Sequence, residues 1–461
     1  MIPRSLDAFK SDGHIVIVGA SLAGLRGAEA LRDEGFGGRL TIIGDEPHEP
    51  YDRPPLSKQV LEGWVKADHT KLPHMREVDA HWCLGMAATD LDRTKKLVRL
   101  SDGTEVPFDR LLITTGVRAR PWPNPAEAGL KGVFTVRTCD DAARLQAALV
   151  ARPRRVLIIG AGYIGSEMAS VCRGLSLDVT VAERAAAPLA GALGNVIGAI
   201  AAEMQRDAGV DLRTGVSVSA LEGDSRGHVC RACLSDGTTL DVDLVLASLG
   251  SIRNVEWLNG GRLAAGYWGL GCDAGCRAFD VHGVVTDDIF VAGDVARPPH
   301  VLFGYQFLSM EHWDNAVLGA AVAAHNMVSE ELDRRAHLLV PTNWSGQFGV
   351  NIKSVGVPSF GDEIVFTQGS VKERRFVAAY GRNGRTVGAV TFNQGKWLQR
   401  YEALIMQSAP FPPPVGFDVP SDARPVPADF PARGIATAAP DVVLTGHDPT
   451  ERQAELVPRS R

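Results

Sequence analysis

Two glycine-rich turns, each between an apolar strand and a helix, constrain the fold more than any other feature of this sequence. The first is GASLAG at residues 19–24, after the strand HIVIV at 14–18. The second is GAGYIG at residues 160–165, after the strand VLII at 156–159. One glycine pattern alone is a weak signal, but two in this strand–turn–helix context predict two dinucleotide-binding sites. The alternative is that each turn only packs a helix against its sheet.

The residues within each turn have separate tasks. The first glycine lets the chain turn, the last lets the helix approach the strand, and the middle residue lies nearest the pyrophosphate. The middle residue of the first turn is Ser21 rather than glycine, and a side chain this small still fits. The predicted contacts are Gly19, Ser21, Ala23 and Gly24 in the first turn, and Gly160, Gly162, Ile164 and Gly165 in the second.

An acidic residue follows the second strand of each predicted unit. Glu183 lies 23 residues after Gly160, close to the spacing of about 20 typical of an acid that binds the adenosine ribose. In the first unit, Asp45 or Glu46 follows the strand at 40–43. A carboxylate at Glu183 favours NADH over NADPH, although the adjacent Arg184 can accommodate a 2′-phosphate, so NADPH stays possible.

Three later apolar strands, at 108–116, 241–250 and 286–296, end in small or polar residues. Ligands of open parallel sheets bind at such carboxyl ends. We therefore predict an α/β fold with two Rossmann-like dinucleotide-binding domains, the second inserted in the first, plus a C-terminal α+β domain. The expected boundaries are 1–119 and 247–332 for the first domain, 120–246 for the second, 333–410 for the C-terminal domain, and 411–461 for a proline-rich tail, extended or disordered.

Composition excludes several classes of protein. A net charge of −6 argues against nucleic-acid binding, and no apolar run is long enough to span a bilayer. The seven cysteines are sparse and odd in number, which favours a reducing cytoplasm over a disulfide scaffold. Cys230 with Cys233, and Cys272 with Cys276, superficially offer four zinc ligands. The first pair lies in a strand-like alternating segment, where the two side chains would point apart, so no metal site is expected.

Seven segments together resemble the ferredoxin/rubredoxin reductase family of flavoproteins, from about residue 14 to about residue 410. They are GASLAG, PYDRPPLSK, TTGVRARPW, GAGYIGSE, VAGDVAR, EHWDNA and NWSGQF. The resemblance implies FAD at the first turn and NADH, or NADPH, at the second. It also implies hydride transfer to the flavin, followed by single-electron transfer to a small iron–sulfur ferredoxin that serves a cytochrome P-450 or a ring-hydroxylating dioxygenase.

The segment PYDRPPLSK, residues 50–58, stands where related disulfide reductases carry a Cys-x4-Cys pair. No cysteine precedes Cys83, so electrons are expected to leave the flavin without a protein dithiol. The prolines form a rigid wall, and the resemblance places Lys58 near flavin N5, where it could pair with Glu167. These two are the predicted catalytic residues. The alternative is a surface turn with a solvated lysine.

Further contacts are implied by the resemblance. Asp294 is expected at the ribityl hydroxyls, Trp313 at the flavin pyrimidine edge, near the start of a helix expected to begin around Glu311, and Arg137 at the adenine end. The other implied FAD contacts are Asp45, Glu46, Arg53, Lys58, Ala88, Thr115 and Gly116, and the implied nicotinamide contacts beyond the turn are Glu167, Glu183 and Gly250.

Two other functions fit the sequence at this point. One is an NADH oxidase or rubredoxin-type reductase of the same fold, which oxygen-only turnover would reveal. The other is a non-enzymatic flavoprotein interaction module, which a slow hydride step would favour. The expected protein is a monomer or weak homodimer whose acceptor docks on the C-terminal domain. The candidate docking residues are Arg297, Lys353, Lys396 and Arg400, with Trp344 and Trp397 beside them.

Overall fold

The computed structural model describes residues 5–416, 418 and 424–431, and the backbone of 441–445 and 453–457. Within these residues the α-helices are α1 Leu6–Asp12, α2 Leu22–Asp33, α3 Pro125–Ala128, α4 Cys139–Val150, α5 Tyr163–Gly174, α6 Ala190–Asp207, α7 Trp313–Met327 and α8 Leu398–Met406. No helix in this part of the chain combines the length and the apolar character that crossing a membrane requires.

The first sheet draws its strands from distant parts of the chain. Their order is Arg277–Phe279, Val285–Val291, Arg110–Ile113, His14–Val18, Arg39–Gly44 and His81–Leu84, and all but the first are parallel. His14–Val18 lies at the centre, and all five of its residues are buried, as expected for a strand covered on both faces. Helices α2 and α7 cover one face of this sheet and pack against each other.

The second sheet is formed by residues between two strands of the first. Its parallel strands run in the order Asp211–Thr214, Asp178–Glu183, Arg155–Ile159, Leu244–Ala247 and Val133–Phe134. The antiparallel pair Val117–Ala119 and Ser251–Arg253 connects the two units. The predicted fold class, with one Rossmann-like unit inserted in another, is confirmed, whereas the exact domain boundaries stay a prediction.

The third sheet is antiparallel and forms the C-terminal domain. Its order is Thr342–Gln347, Val350–Gly356, Arg385–Phe392, Arg375–Arg382, Glu363–Ser370 and Val426–Pro427. Its core includes Tyr380, Phe376 and Phe392, and it extends to Leu193 and Ile197 of α6. The C-terminal domain therefore packs directly on a helix of the second Rossmann-like unit.

Smaller sheets complete the described structure. Three-stranded sheets are formed by Ala88–Asp92, Leu97–Leu100 and Glu105–Pro107, by Val218–Gly223, Val229–Leu234 and Thr239–Asp241, and by Ala265–Gly266, Gly269–Gly271 and Ala296–Arg297. Two-stranded sheets are formed by Pro299–His300 with Gln306–Phe307 and by Asp441–Thr445 with Gln453–Val457. The tail, predicted to be extended or disordered, contributes the strand Val426–Pro427 to the third sheet, and its remaining residues from 432 onward lie largely outside the described residues.

Candidate active site

One cavity of about 1870 Å³ runs between the two Rossmann-like units and the C-terminal domain. It is larger than the roughly 300–1,000 Å³ of a typical small-molecule site, so it has room for more than one ligand. Most of the residues predicted to contact FAD line it, namely Gly19, Ser21, Ala23, Asp45, Glu46, Arg53, Lys58, Ala88, Thr115, Gly116, Arg137, Asp294 and Trp313. Gly24 lies behind the wall.

The first glycine turn is held tightly against the sheet. Gly19 has a φ of 120°, which favours glycine, and a Cβ on Gly24 would lie 1.9 Å from the Gly19 carbonyl oxygen. Thr114 closes the turn from behind by donating its hydroxyl hydrogen bond to the Gly19 carbonyl at 2.9 Å. Ser21 caps α2 without a side-chain hydrogen bond, and Ser21, Leu22 and Ala23 at the start of this helix line the cavity. The N-terminus of a helix is a favourable place for an anion.

The acid after the second strand is fixed by its neighbours. Glu46 accepts a hydrogen bond from Arg53 at 2.6 Å and another from the Tyr51 hydroxyl. The Arg53 guanidinium also lies over the Tyr51 ring, 4.9 Å from its centroid. Asp45, the alternative acid, is exposed at the cavity rim. Of the two candidate acids, Glu46 is therefore the one that hydrogen bonds from Arg53 and Tyr51 hold in place.

Asp294 and Arg137, predicted for different parts of FAD, contact each other. Arg137 donates from Nη2 to Asp294 Oδ2 at 3.1 Å and from Nε to the Val117 carbonyl at 3.0 Å. Burial raises the pKa of the Asp294 carboxyl, and the Arg137 charge opposes that rise. Asp294 lies in a 3₁₀ turn, Gly293–Val295, at the carboxyl end of a central strand, where ligands of such sheets bind.

The two prolines of PYDRPPLSK begin a 3₁₀ turn, Pro54–Ser57, that places Lys58 at the cavity. The Lys58 ammonium lies 2.7 Å from Glu167 Oε2, so the predicted pairing is present. Ser57 donates to the same oxygen at 2.7 Å, and Ser345 donates to Oε1 at 2.6 Å. Because the Glu167 side chain is almost fully buried, these three partners are what make its charge tolerable.

Glu167 therefore joins three parts of the molecule. It lies on α5 of the second Rossmann-like unit, Ser57 and Lys58 belong to the first, and Ser345 lies on the first strand of the third sheet. Sequence reasoning missed both serines. Ser57 and Ser345 stand inside the segments PYDRPPLSK and NWSGQF, but a serine carries no pattern of its own that marks a partner.

Trp313 is the first residue of α7 and donates from Nε1 to Asp52 Oδ1 at 3.1 Å. Burial raises the pKa of the Asp52 carboxyl, while this hydrogen bond and the Lys58 charge act against the rise. The helix begins two residues after the predicted Glu311, because His312 takes the extended backbone of the N-cap. Asp52 was not predicted as a site residue.

The second glycine turn has nearly the same backbone conformation as the first but is more exposed to solvent. Gly160 has a φ of 95°, and a Cβ on Gly165 would lie 2.0 Å from the Gly160 carbonyl oxygen. Gly162 and Ile164 are exposed. Of the predicted nicotinamide contacts, Ile164, Glu167 and Gly250 line the cavity, and Gly160, Gly162, Gly165 and Glu183 lie outside it.

Glu183 is oriented by backbone amides rather than side chains. Its carboxylate accepts hydrogen bonds from the Ala161 amide at 2.6 Å and from the Ala185 amide at 2.7 Å. Its side chain is thus held against the second glycine turn, where a ribose would approach. The adjacent Arg184 lines the cavity.

The cysteines take no part in the cavity wall. All seven are free, and none of them is among the described residues that line the cavity. Cys230 and Cys233 lie in a central strand of a small sheet, and both thiols contact Glu222. Among the described residues, the cluster with metal-ligand spacing is His48, Cys139 and Asp140, in which the imidazole already hydrogen-bonds the carboxylate at 3.1 Å.

The residues at the first turn fit a bound dinucleotide by their chemistry. The turn leaves no room for a Cβ at Gly19 or Gly24, the start of α2 lines the cavity, and Glu46 and Asp294 lie at the ends of two sheet strands. Arg53 and Arg137 add positive charge beside them. A flavin adenine dinucleotide needs such a set of partners.

Comparisons with known proteins agree with this geometry. The sequence pattern of the pyridine nucleotide-disulphide oxidoreductase family matches residues 13–320, and the reductase C-terminal pattern matches residues 343–425. The chain is 33% identical over 402 residues to the ferredoxin–NAD(+) reductase component of the anthranilate 1,2-dioxygenase system of Burkholderia cepacia, covering 86% of this chain and 94% of that protein.

Two further comparisons concern putidaredoxin reductase. The chain is 31% identical over 413 residues to the enzyme of Pseudomonas putida, covering 87% of this chain and 94% of that protein. Its fold matches a crystal structure of the covalent putidaredoxin reductase–putidaredoxin complex with a TM-score of 0.80 at 29% identity, covering 87% of this chain and 94% of that chain.

Proposed function

The chain belongs to the pyridine nucleotide-disulphide oxidoreductase family, and from this membership we propose that it is a ferredoxin–NAD(+) reductase that uses FAD and NADH. The observation that carries the proposal is the cavity itself. The first glycine turn and Ile164 of the second line it, the Lys58–Glu167 ion pair lies between the two Rossmann-like units, and no cysteine is among the described residues of its wall. When bound, FAD accepts a hydride and releases electrons one at a time.

The protein's own residues hold and orient the reacting groups. Glu167 fixes the Lys58 ammonium at the cavity, and the two serine hydroxyls keep the carboxylate in place. The Trp313 indole donates a hydrogen bond to Asp52, which precedes the two prolines of PYDRPPLSK. Lys58 and Glu167 contact the reacting atoms in this proposal, and Ser57, Ser345 and Asp52 act as positioning residues.

With no cysteine among the described residues that line the cavity, a disulfide relay beside the flavin lacks its thiols. A disulfide reductase needs two thiols beside its flavin, and burial raises the pKa of the Cys139, Cys272 and Cys276 thiols, which opposes formation of a reactive thiolate. Direct transfer to an external one-electron acceptor is the function that this arrangement supports. The relatives name that acceptor as a ferredoxin of a dioxygenase or P-450 system.

The acceptor's docking site is proposed on the C-terminal domain. Trp344 is paired with Lys353 across neighbouring strands, and the Lys353 side chain approaches Gly395, beside Lys396 and Trp397. This cluster of two cations and two aromatic rings suits an acidic ferredoxin. Arg297, predicted with them, lines the cavity, where its guanidinium lies over the Phe307 ring.

The function is tested by NADH oxidation with and without an iron–sulfur ferredoxin. The expected result is turnover that requires ferredoxin, with slow reduction of oxygen alone. Rapid turnover with oxygen alone would identify an oxidase instead. Lys353→Glu and Lys396→Glu should raise KM for the ferredoxin while ferricyanide reduction is unchanged, and Lys95→Glu, on an exposed hairpin of the first unit, is the matched control.

The remaining parts of the proposal are the assembly and the compartment. A monomer or weak homodimer leaves the Trp344 cluster accessible to a ferredoxin, because Trp344 is 40% exposed in the single chain. Seven free cysteines suit the reducing cytoplasm.

A further inference from the structure

A short C-terminal segment, residues 424–431, crosses from the third sheet to the second Rossmann-like unit, and we refer to it as the strap. It starts on the edge of the third sheet, where Val426 and Pro427 pair with Ile364 and Glu363. Ala428 is fully buried and donates its amide hydrogen bond to the Asp362 carbonyl at 2.9 Å. The strap is therefore anchored at its beginning by the C-terminal domain.

Helix α6 is interrupted at the place where the strap arrives. Gly194 has a φ of 78° and a ψ of 164°, which are not helical, so the amide of Asn195 is left without its usual partner within the helix. That amide donates to the Asp429 carbonyl at 2.8 Å, and the Asn195 side-chain amide donates to the Asp429 carboxylate at 3.1 Å. The strap supplies the hydrogen bonds that the interrupted helix lacks.

Gly194 is also required by the close approach of the strap. A Cβ at this position would lie 2.3 Å from the Ala428 carbonyl oxygen, which is too close for any side chain. The interruption of α6 and the path of the strap thus fit each other. Since the reductase C-terminal pattern ends at residue 425, the contacts of residues 428–430 lie beyond the matched part of the family.

The far end of the strap faces the cavity. Phe430 and Pro431 line it together with Gly191 and Ala192 at the start of α6. The Phe430 ring lies 6.2 Å from that of Tyr380, which in turn donates its hydroxyl hydrogen bond to the Leu193 carbonyl. The aromatic ring is therefore held from behind by the third sheet.

The wall formed by Phe430 belongs to the side of the second glycine turn. The amide of Leu189, just before α6, donates to the Ala161 carbonyl within that turn at 2.9 Å. Tyr163 and Ile164, the first residues of α5, line the same cavity. Arg184, Glu167 and Phe430 all line this cavity, and the Phe430 ring lies 3.5 Å from where a Cβ on Gly194 of α6 would be.

We propose that the strap completes the nicotinamide dinucleotide site and that Phe430 is a binding residue for NADH, forming an apolar wall against the half of the cofactor that enters the cavity. This inference rests on the proposed function. An aromatic ring held at a fixed place raises affinity mainly by burying apolar surface of the cofactor, and it orders no new chain segment when the cofactor binds.

The test compares Phe430→Ala with Val426→Ser in the full-length protein with FAD bound. Val426 lies in the same strap but is 44% exposed and does not line the cavity, so it is the matched control. We expect Phe430→Ala to raise the Kd of NAD⁺, measured by calorimetry, and KM for NADH about five- to tenfold. FAD content should be unchanged, and Val426→Ser should behave as the parent protein.

Results that would overturn the role of Phe430 differ from results that would contradict the proposed function. Unchanged Kd and KM in Phe430→Ala would overturn the inference, and so would a lowered melting temperature with unchanged affinity, since that result makes the strap a purely structural connection. Phe430→Leu keeps most of the volume and tests the same point if the alanine variant does not fold, with an expected increase of about two- to threefold in Kd. Failure of the parent protein to bind NAD⁺ or to react with NADH would instead contradict the proposed function.

Discussion

The two glycine turns have nearly the same backbone but very different surroundings. In both, the first glycine has a positive φ and a Cβ on the last would lie about 2 Å from a carbonyl oxygen, at 1.9 Å for Gly24 and 2.0 Å for Gly165. The first turn lines the deep cavity, whereas Gly162 and Ile164 of the second are exposed. The turn itself provides a dinucleotide site, and its surroundings decide whether the ligand stays or exchanges.

The acids that follow the second strand of each unit also differ in how they are held. Glu46 is held by side chains of the first unit, Arg53 and Tyr51, which also help to enclose the cavity. Glu183 is held by backbone amides at an open rim. We therefore expect a resident FAD at the first turn and an exchanging NADH at the second.

The largest effects are expected when each turn is blocked separately. Gly24→Ala should yield protein with most of its FAD lost, because a methyl group cannot fit beside the Gly19 carbonyl. Gly165→Ala should keep FAD and lower kcat/KM for NADH about 100-fold, since overpacking of this kind costs up to roughly 3 kcal/mol. Flavin absorbance and steady-state kinetics measure both effects.

Gly174→Ala is the control for these substitutions. Gly174 ends α5 and a Cβ there meets no atom within 4 Å, so FAD content and kinetics should be unchanged. Loss of FAD from Gly165→Ala, with retention in Gly24→Ala, would reverse the assignment of the two turns.

Glu167→Ala should affect the second site more than the first. Removing the carboxylate leaves the Lys58 ammonium and two serine hydroxyls without their acceptor, and a hydrogen bond to a charged group is worth about 1.5–3 kcal/mol. We expect a 10- to 100-fold lower rate of flavin reduction by NADH, measured by stopped flow, with FAD retained. Reduction at the parental rate would make Glu167 a structural residue of α5.

NADH should be preferred over NADPH by about tenfold in kcat/KM. The Glu183 carboxylate, fixed by two amides, would repel a 2′-phosphate, and a tenfold preference corresponds to about 1.4 kcal/mol. Arg184 works in the opposite direction. Equal kcat/KM values for the two cofactors would show that Arg184 compensates for the carboxylate.

The smallest expected effect is a pH dependence of stability that comes from His337, a buried histidine beside α7. Burial lowers the pKa of His337 from 6.5 to about 4, and its Nε2 lies 2.8 Å from Asn315 of α7. The unfolded chain binds the proton first as the pH falls, so stability is full above pH 6.5 and declines between pH 6.5 and 4.

Lowering the pH from 8 to 6 should therefore reduce the free energy of unfolding by about 1 kcal/mol through His337. Denaturant unfolding at both pH values measures it, and His337→Gln should show a smaller decline over the same interval. An equal decline in the two proteins would assign the pH dependence to other groups.

Local patterns are enough to locate the glycine turns and the acids at the strand ends, because each depends on a few adjacent residues. Contacts between distant segments were not accessible in this way. Ser345 is 178 residues from Glu167, and Trp313 is 261 residues from Asp52. The Lys58–Glu167 pair was expected only through the family resemblance. The sequence does not predict the contacts of the strap, since a proline-rich composition does not specify what an extended segment contacts.

The most direct test of the contrast between the two turns is an anaerobic experiment on the purified protein. It is incubated with excess FAD and NAD⁺, passed through gel filtration, and then titrated with NADH while the flavin absorbance is followed. We predict that FAD remains bound in a one-to-one ratio, that NAD⁺ is removed, and that about one NADH per FAD bleaches the flavin band. Retention of NAD⁺ with loss of FAD, or a flavin band that NADH does not change, would contradict the assignment of a resident and an exchanging site.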